Sequence, residues 1–239
     1  MRCTSKTAVF AVVLAILLCL TACNSLQFPF DPDSTESQFN IHSYASSSPV
    51  KPFAADICVT DDDFESLSLA IDDALAGGLF DATAKETIYA KNVHEKLNPA
   101  SLTKVMTAYI ALKYGHLDDT LTASPNVLIT ESGAQLLGIK EGDRMTLEQA
   151  LYALLLYSAN DAGVMIAEYL SGSVDSFAAV MNEEAKKIGA TNTNFTNPHG
   201  LTDEDHYTTA YDLYLMFNAA MESEEFRKII NTTEYKSTY

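Results

Sequence analysis

Strand patterning is confined to one short stretch of this chain, and that limits what it can fold into. Ala74 to Phe80 and Thr87 to Ala90 read as two strands, with Asp81-Ala82-Thr83-Ala84-Lys85 as the polar turn between them. From residue 98 onward the signals are mostly helical. A lone hairpin is marginal in water. It needs further strands, and the chain after residue 98 offers almost none. The expected molecule is a short antiparallel hairpin preceding a mostly helical block, of a size that suits one domain.

Within the helical block, Asn98 and then Pro99 read as an N-cap with proline at the first helical position. Leu102, Val105, Met106, Tyr109 and Leu112 form the stripe such a helix would bury, and Gly115 ends it. Gly133, Gly138 and Gly142 break any long helix between residues 116 and 145. Thr146 with Gln149 is a capping box for a helix running to about Tyr157. Further helices are predicted over 161–170, 174–188, 209–221 and 223–230, with a long polar loop at 190–208. There is no internal repeat.

The amino terminus reads as an address. Arg2 and Lys6 precede an unbroken apolar run of 13 residues, Ala8 to Leu20. A membrane span needs about 20, so residues 1–22 are predicted to be a signal peptide. Leu20-Thr21-Ala22-Cys23 resembles a bacterial lipobox, in which Cys23 is lipidated and becomes the mature N-terminus. The alternative is ordinary cleavage after small residues beside an incidental cysteine. Residues 23–55, rich in Ser and Pro, are predicted to be a disordered linker. Residues 53–72 stay ambiguous, because Asp61-Asp62-Asp63 followed by Phe64, Leu67 and Ile71 fits a capped short helix or more acidic linker.

Charge narrows the partners. Fifteen basic against 32 acidic residues give −17, and loss of Arg2 and Lys6 with the signal gives 13 − 32 = −19. No basic cluster exists to meet phosphates, so nucleic acid is not an expected partner. Anionic lipids or wall polymers would repel this surface, so a lipid tether must hold it to the outer face of the cytoplasmic membrane. After Cys3 and Cys19 leave and Cys23 takes lipid, Cys58 alone remains, with no disulfide partner. No Cys-x-x-Cys or His-rich pattern points to a metal, and no cofactor is expected.

Ser101-Leu102-Thr103-Lys104 is Ser-x-x-Lys at the opening of a helix, and a spacing of three puts both side chains on one face. A serine hydroxyl is a weak nucleophile until a base takes its proton. Lysine can be that base only when neutral, which requires burial or a nearby cation. The Ser101 N–H would be an unpaired donor at the positive end of the helix, usable for an oxyanion. The bland alternative is a polar residue in a first turn, and Ser48-Pro49-Val50-Lys51 shows the motif arising in linker. Ser158-Ala159-Asn160 falls between two helices, where Ser158 could relay a proton and Asn160 could bind a substrate amide or hold Lys104. Simple capping by Asn160 or Asp161 competes with that reading. His199, His206 and Asp212 suggest a triad, but no Gly-x-Ser-x-Gly surrounds any serine, and Asn197-Pro198-His199-Gly200 reads as a tight turn.

Taken in order, these segments resemble the low-molecular-mass penicillin-binding proteins of the D-alanyl-D-alanine carboxypeptidase type. The resemblance covers about residues 73 to 230. It rests on Tyr89-Ala90-Lys91-Asn92, Pro99-Ala100-Ser101-Leu102-Thr103-Lys104-Val105-Met106-Thr107, Ser158-Ala159-Asn160-Asp161-Ala162, Asn197-Pro198-His199-Gly200-Leu201 and Ala210-Tyr211-Asp212. It implies an α/β (α+β) domain over residues 56–239, β-lactamase/DD-peptidase-like, with an antiparallel sheet and an inserted helical lobe. It also implies a catalytic set of Ser101, Lys104, Ser158 and Asn160, a peptidoglycan stem peptide ending in D-Ala-D-Ala as substrate, and acylation by β-lactam antibiotics. The family's third motif, Lys-Thr-Gly, is not found in this sequence; Lys236-Ser237-Thr238 is the nearest triplet. The expectation is a domain incomplete at its C-terminal end, with residues 23–239 alone unstable and nearly inactive. A class A-like serine β-lactamase and a non-catalytic wall-binding lipoprotein are the competing expectations.

Overall fold

The computed structural model describes residues 56–63 and 73–238, which fall in one compact unit, Pro52–Tyr239. The predicted signal peptide, Cys23, the linker to residue 55, and Phe64, Leu67 and Ile71 lie outside the described residues. Strands β1 (Gly77–Asp81) and β2 (Glu86–Lys91) pair antiparallel, with Gly77 opposite Lys91 and Asp81 opposite Glu86. The turn closes as its residues dictate. Asp81 Oδ1 accepts the N–H groups of Thr83 and Ala84 at 2.8 Å each, and Lys85 takes a φ of 60°.

Six helices follow: α1 (Thr103–Tyr114), α2 (Leu147–Leu156), α3 (Asn160–Ser171), α4 (Val174–Ile188), α5 (Ala210–Ala220) and α6 (Glu224–Ile230). Most begin where a side chain takes an orphan N–H. Thr146 and Gln149 form the reciprocal box on α2, and Ser173, Thr209 and Ser223 cap α4, α5 and α6. Left-handed Gly172 and Gly189 end α3 and α4.

Helix α1 departs from the expected start. Asn98 Oδ1 does accept the Ala100 N–H, at 2.8 Å, but Ala100 has a φ of +48° and no regular helix can pass through it. Ala100–Leu102 instead form one 3-10 turn, and α1 begins at Thr103. That turn swings Leu102 out of the predicted stripe, leaving it 56% exposed. Nor is α1 buried on one stripe alone. It touches α2, α3, α4, α5 and α6, with Met106, Ile110 and Ala111 buried beside the polar Thr103, Lys104 and Thr107. One apolar cluster, including Leu147, Leu151, Leu154 and Met165, lies against α2 and α3. A second, including Phe177, Met181, Phe195 and Met216, lies against α4 and α5.

Helix α5 packs against the hairpin at Phe80. Phe80 stacks on Tyr214 of α5 with centroids 4.2 Å apart and meets the edge of Tyr211. The segment carrying Cys58 is bound to the same two rings. The Cys58 N–H donates to Tyr214 Oη at 2.8 Å, and Tyr211 Oη donates to the Cys58 carbonyl at 2.9 Å. A second antiparallel pair, β3 (Thr120–Thr122) with β4 (Arg144–Thr146), went unforeseen in the mixed stretch, since three residues are too few to show a period. The polar loop at 190–208 is tied down by bridges between Leu97 and Thr208 and between Asn194 and Tyr207.

Candidate active site

The Ser101 hydroxyl lies between two donors. Lys104 Nζ reaches Ser101 Oγ at 3.1 Å, and Ser158 Oγ reaches it at 3.1 Å from the α2–α3 junction. Lys104 is only 3% exposed and also donates to the His199 carbonyl at 2.7 Å. Burial pushes its ammonium down to about 8, which meets the condition for a lysine base. Among the described residues Lys104 is held by Ser101 and His199, and of the two roles the sequence left open for Asn160 the bond to Lys104 is not the one formed.

The loop carrying Asn197-Pro198-His199-Gly200 is the tight turn its residues predict. Asn197 Oδ1 accepts the N–H of Gly200 at 2.7 Å and of His199 at 3.3 Å. Its second use was not foreseen. Two successive carbonyls face α1, that of Pro198 taking the Thr107 hydroxyl at 2.6 Å and that of His199 taking Lys104. Gly200 has a φ of +86°, and a Cβ there would sit 1.8 Å from the Ala100 carbonyl oxygen. Only glycine lets this loop press against the turn that carries Ser101.

Ser158 has a φ of 62°, in the left-handed region that costs a non-glycine residue energy. With Ala100, it places beside Ser101 two of the four non-glycine left-handed residues among the described residues; the others are Lys85 and Asn92. Asn160 is 3% exposed as the first residue of α3, and its N–H donates to the Gln135 carbonyl at 2.8 Å. Ala159 occupies the cap position without a side-chain bond. Asp161 does more than cap. Its carboxylate accepts the N–H groups of Leu137, Gly138, Ile139 and Ala162, tying the preceding loop to α3.

Among the described residues no Ser-His-Asp relay forms. Asp212 binds the Thr193 hydroxyl and the Asn192 N–H, at 2.7 and 2.8 Å, rather than a histidine. Burial first, then the Lys104 charge, pushes the His199 imidazole down to about 4, so it is neutral. Among the described residues no three His, Cys, Asp or Glu side chains gather as metal ligands. A cleft of roughly 500 Å³ opens over Ser101, Lys104 and Ser158, walled by Leu102, Leu155 and Phe217.

Residues 71–239 match the family model described as D-alanyl-D-alanine carboxypeptidase. The chain belongs to this family. D-alanyl-D-alanine carboxypeptidase DacF of Bacillus subtilis (strain 168) is 36% identical over 167 residues, which is 68% of this chain and 42% of DacF. DacC of Escherichia coli (strain K12) is 36% identical over 156 residues, 62% of this chain and 39% of DacC. The crystal structure of the D-alanyl-D-alanine carboxypeptidase DacD from Francisella tularensis superposes with a TM-score of 0.63 at 29% identity, covering 72% of this chain and 43% of that one. A mutant of the Streptomyces K15 DD-transpeptidase gives 0.65 at 28%, covering 69% and 67%. The chain spans less than half the length of the curated carboxypeptidases it matches. Its hairpin and helical lobe are those of the DD-peptidase fold.

Proposed function

We propose that the protein is a serine-type D-Ala-D-Ala carboxypeptidase, trimming peptidoglycan stem peptides through an acyl-enzyme and binding β-lactams at the same serine. The observation that carries this reading is Ser101 Oγ held 3.1 Å from a buried Lys104 whose pKa lies at about 8. Neutral Lys104 takes the Ser101 proton as Oγ attacks the carbonyl joining the two D-alanines. The Ser101 N–H, at the positive end of α1, is one donor to the developing oxyanion. Ser158 relays the proton to the departing D-alanine amine, and Asn160 holds the substrate amide. Water then hydrolyses the ester, and Ser101 recovers its proton. Positioned proton transfer of this kind contributes about 10²–10⁴ in rate. A β-lactam carbonyl is attacked in the same way.

A fluorescent penicillin should label the wild type and leave Ser101→Ala dark. Labelling that survives the substitution would overturn the assignment of Ser101. Rapid penicillin turnover without D-alanine release would make the protein a β-lactamase instead.

Cys23 supports an exported protein, lipid-anchored on the outer face of the cytoplasmic membrane. Among the described residues no single helix is long and apolar enough to cross a membrane.

A further inference from the structure

His206 lies outside the reacting set, yet it is 1% exposed and its hydrogen bonds fix its tautomer. The Thr196 N–H donates to Nδ1 at 3.1 Å, so Nδ1 is an acceptor and the ring proton sits on Nε2. Nε2 then donates to Thr103 Oγ1 at 2.8 Å. The edge of the ring packs against Phe195, with centroids 5.6 Å apart. Burial also holds the imidazole below its ordinary pKa, which keeps the donor-acceptor pattern in place.

Thr103 is fully buried, opens α1, and stands between Ser101 and Lys104. The turn holding Ser101 has little rigidity of its own. It is a single 3-10 turn that opens on a left-handed Ala100, whose N–H is taken by Asn98 Oδ1. Three contacts fasten the start of α1 to the loop beneath: Thr103 to His206, Lys104 to the His199 carbonyl, and Thr107 to the Pro198 carbonyl. The first lies nearest to Ser101 in the chain. The Lys104 bond loses its charge assistance when the lysine is neutral, so it holds the frame less firmly in the state that reacts. We propose that His206, acting through the Thr103 hydroxyl, is a positioning residue that sets Ser101 Oγ against Lys104 Nζ. The proposal rests on the carboxypeptidase reading. A misplacement of about 1 Å in such a pair costs about 10²-fold in rate.

The test measures penicillin acylation of the purified protein, separating the initial binding constant from the acylation rate constant. Thr103→Val should leave binding unchanged and slow acylation about 10- to 100-fold. Thr103→Ser, which keeps the hydroxyl, should restore the rate to within about threefold. His206→Gln should slow acylation as well, and Thr103→Val with His206→Gln should be no slower than the slower single variant. Normal acylation by Thr103→Val, or losses that multiply in the double variant, would overturn the proposal. Thermal melts accompany each variant; should Thr103→Val fail to fold, the rates of Thr103→Ser and His206→Gln decide, and a normal rate in His206→Gln sinks the idea. A wild type that is never acylated defeats the carboxypeptidase reading. In that case NMR still reads the geometry, since Thr103→Val should shift the Ser101 amide and the His206 ring nitrogens, and unmoved resonances would refute the positioning role.

Discussion

An ordinary lysine keeps its proton until about pH 10.4, and one that did so here could not act as a base near neutrality. Lys104 escapes because burial lowers its pKa to about 8. Below about 8 the ammonium dominates and only a shrinking fraction of molecules can accept the Ser101 proton. Acylation by penicillin should therefore rise about tenfold per pH unit up to about 8 and then level off. A profile that is flat from about pH 6 to 9 would exclude Lys104 as the base. Gly200→Ala tests the support for this pair. The added Cβ meets the Ala100 carbonyl at 1.8 Å, so either that backbone or the loop must move. The variant should lose most of its acylation rate and melt at a lower temperature; a normal rate would show that the close approach does not matter. The Ser101–Lys104 contact was legible because side chains three apart share a face. The carbonyls of Pro198 and His199 were not, because every residue has a carbonyl and sequence does not say which one faces a lysine. The left-handed Ser158 was hidden for a similar reason, since serine is not a residue that marks a positive φ.

At the scale of elements, α4 is clamped to α1 through one carboxylate. Glu184 has a side chain 2% exposed and accepts from Lys113 at 2.5 Å, Tyr114 at 2.8 Å and, on its own helix, Lys187 at 2.7 Å. Burial alone would raise its pKa, but the bonds from Lys113, Lys187 and Tyr114 outweigh burial and bring it down to about 2. A carboxylate depressed in the folded state stabilises above its unfolded value, near 4.5, and that contribution drains away as pH falls toward about 2. Glu184→Gln should cost about 1–2 kcal/mol near neutral pH, since both lysines can return to water. The gap between variant and wild type should close in melts taken at successively lower pH. A gap that persists at about pH 2 would mean that the loss is one of packing. Element boundaries were legible wherever a cap fixes them, as at Thr146 and Ser173. They failed at α1, where Ala100 leaves the helical region, and at β3 and β4, where register with a strand more than twenty residues away does what local pattern cannot.

At the scale of the whole molecule, charge and the proposed anchoring oppose each other. The chain carries −17, and −19 once the predicted signal is removed. Such a surface is repelled by the anionic headgroups of a membrane. Basic side chains therefore give the proposed location no support, and the acyl groups proposed on Cys23 would have to supply all of it. Each buried methylene contributes about 0.8 kcal/mol, so two chains hold stably where one is marginal. Two arms of one experiment separate lipid from charge. Wild-type protein expressed in a bacterium with lipoprotein processing should sediment with membranes and stay there when salt is raised to about 1 M, which screens charges beyond about 3 Å. Cys23→Ala should appear in the soluble fraction at every salt concentration, with its fold intact by thermal melt. Wild type released by high salt would mean that charge holds the protein after all. Membrane-bound Cys23→Ala would place the anchor somewhere other than the lipobox.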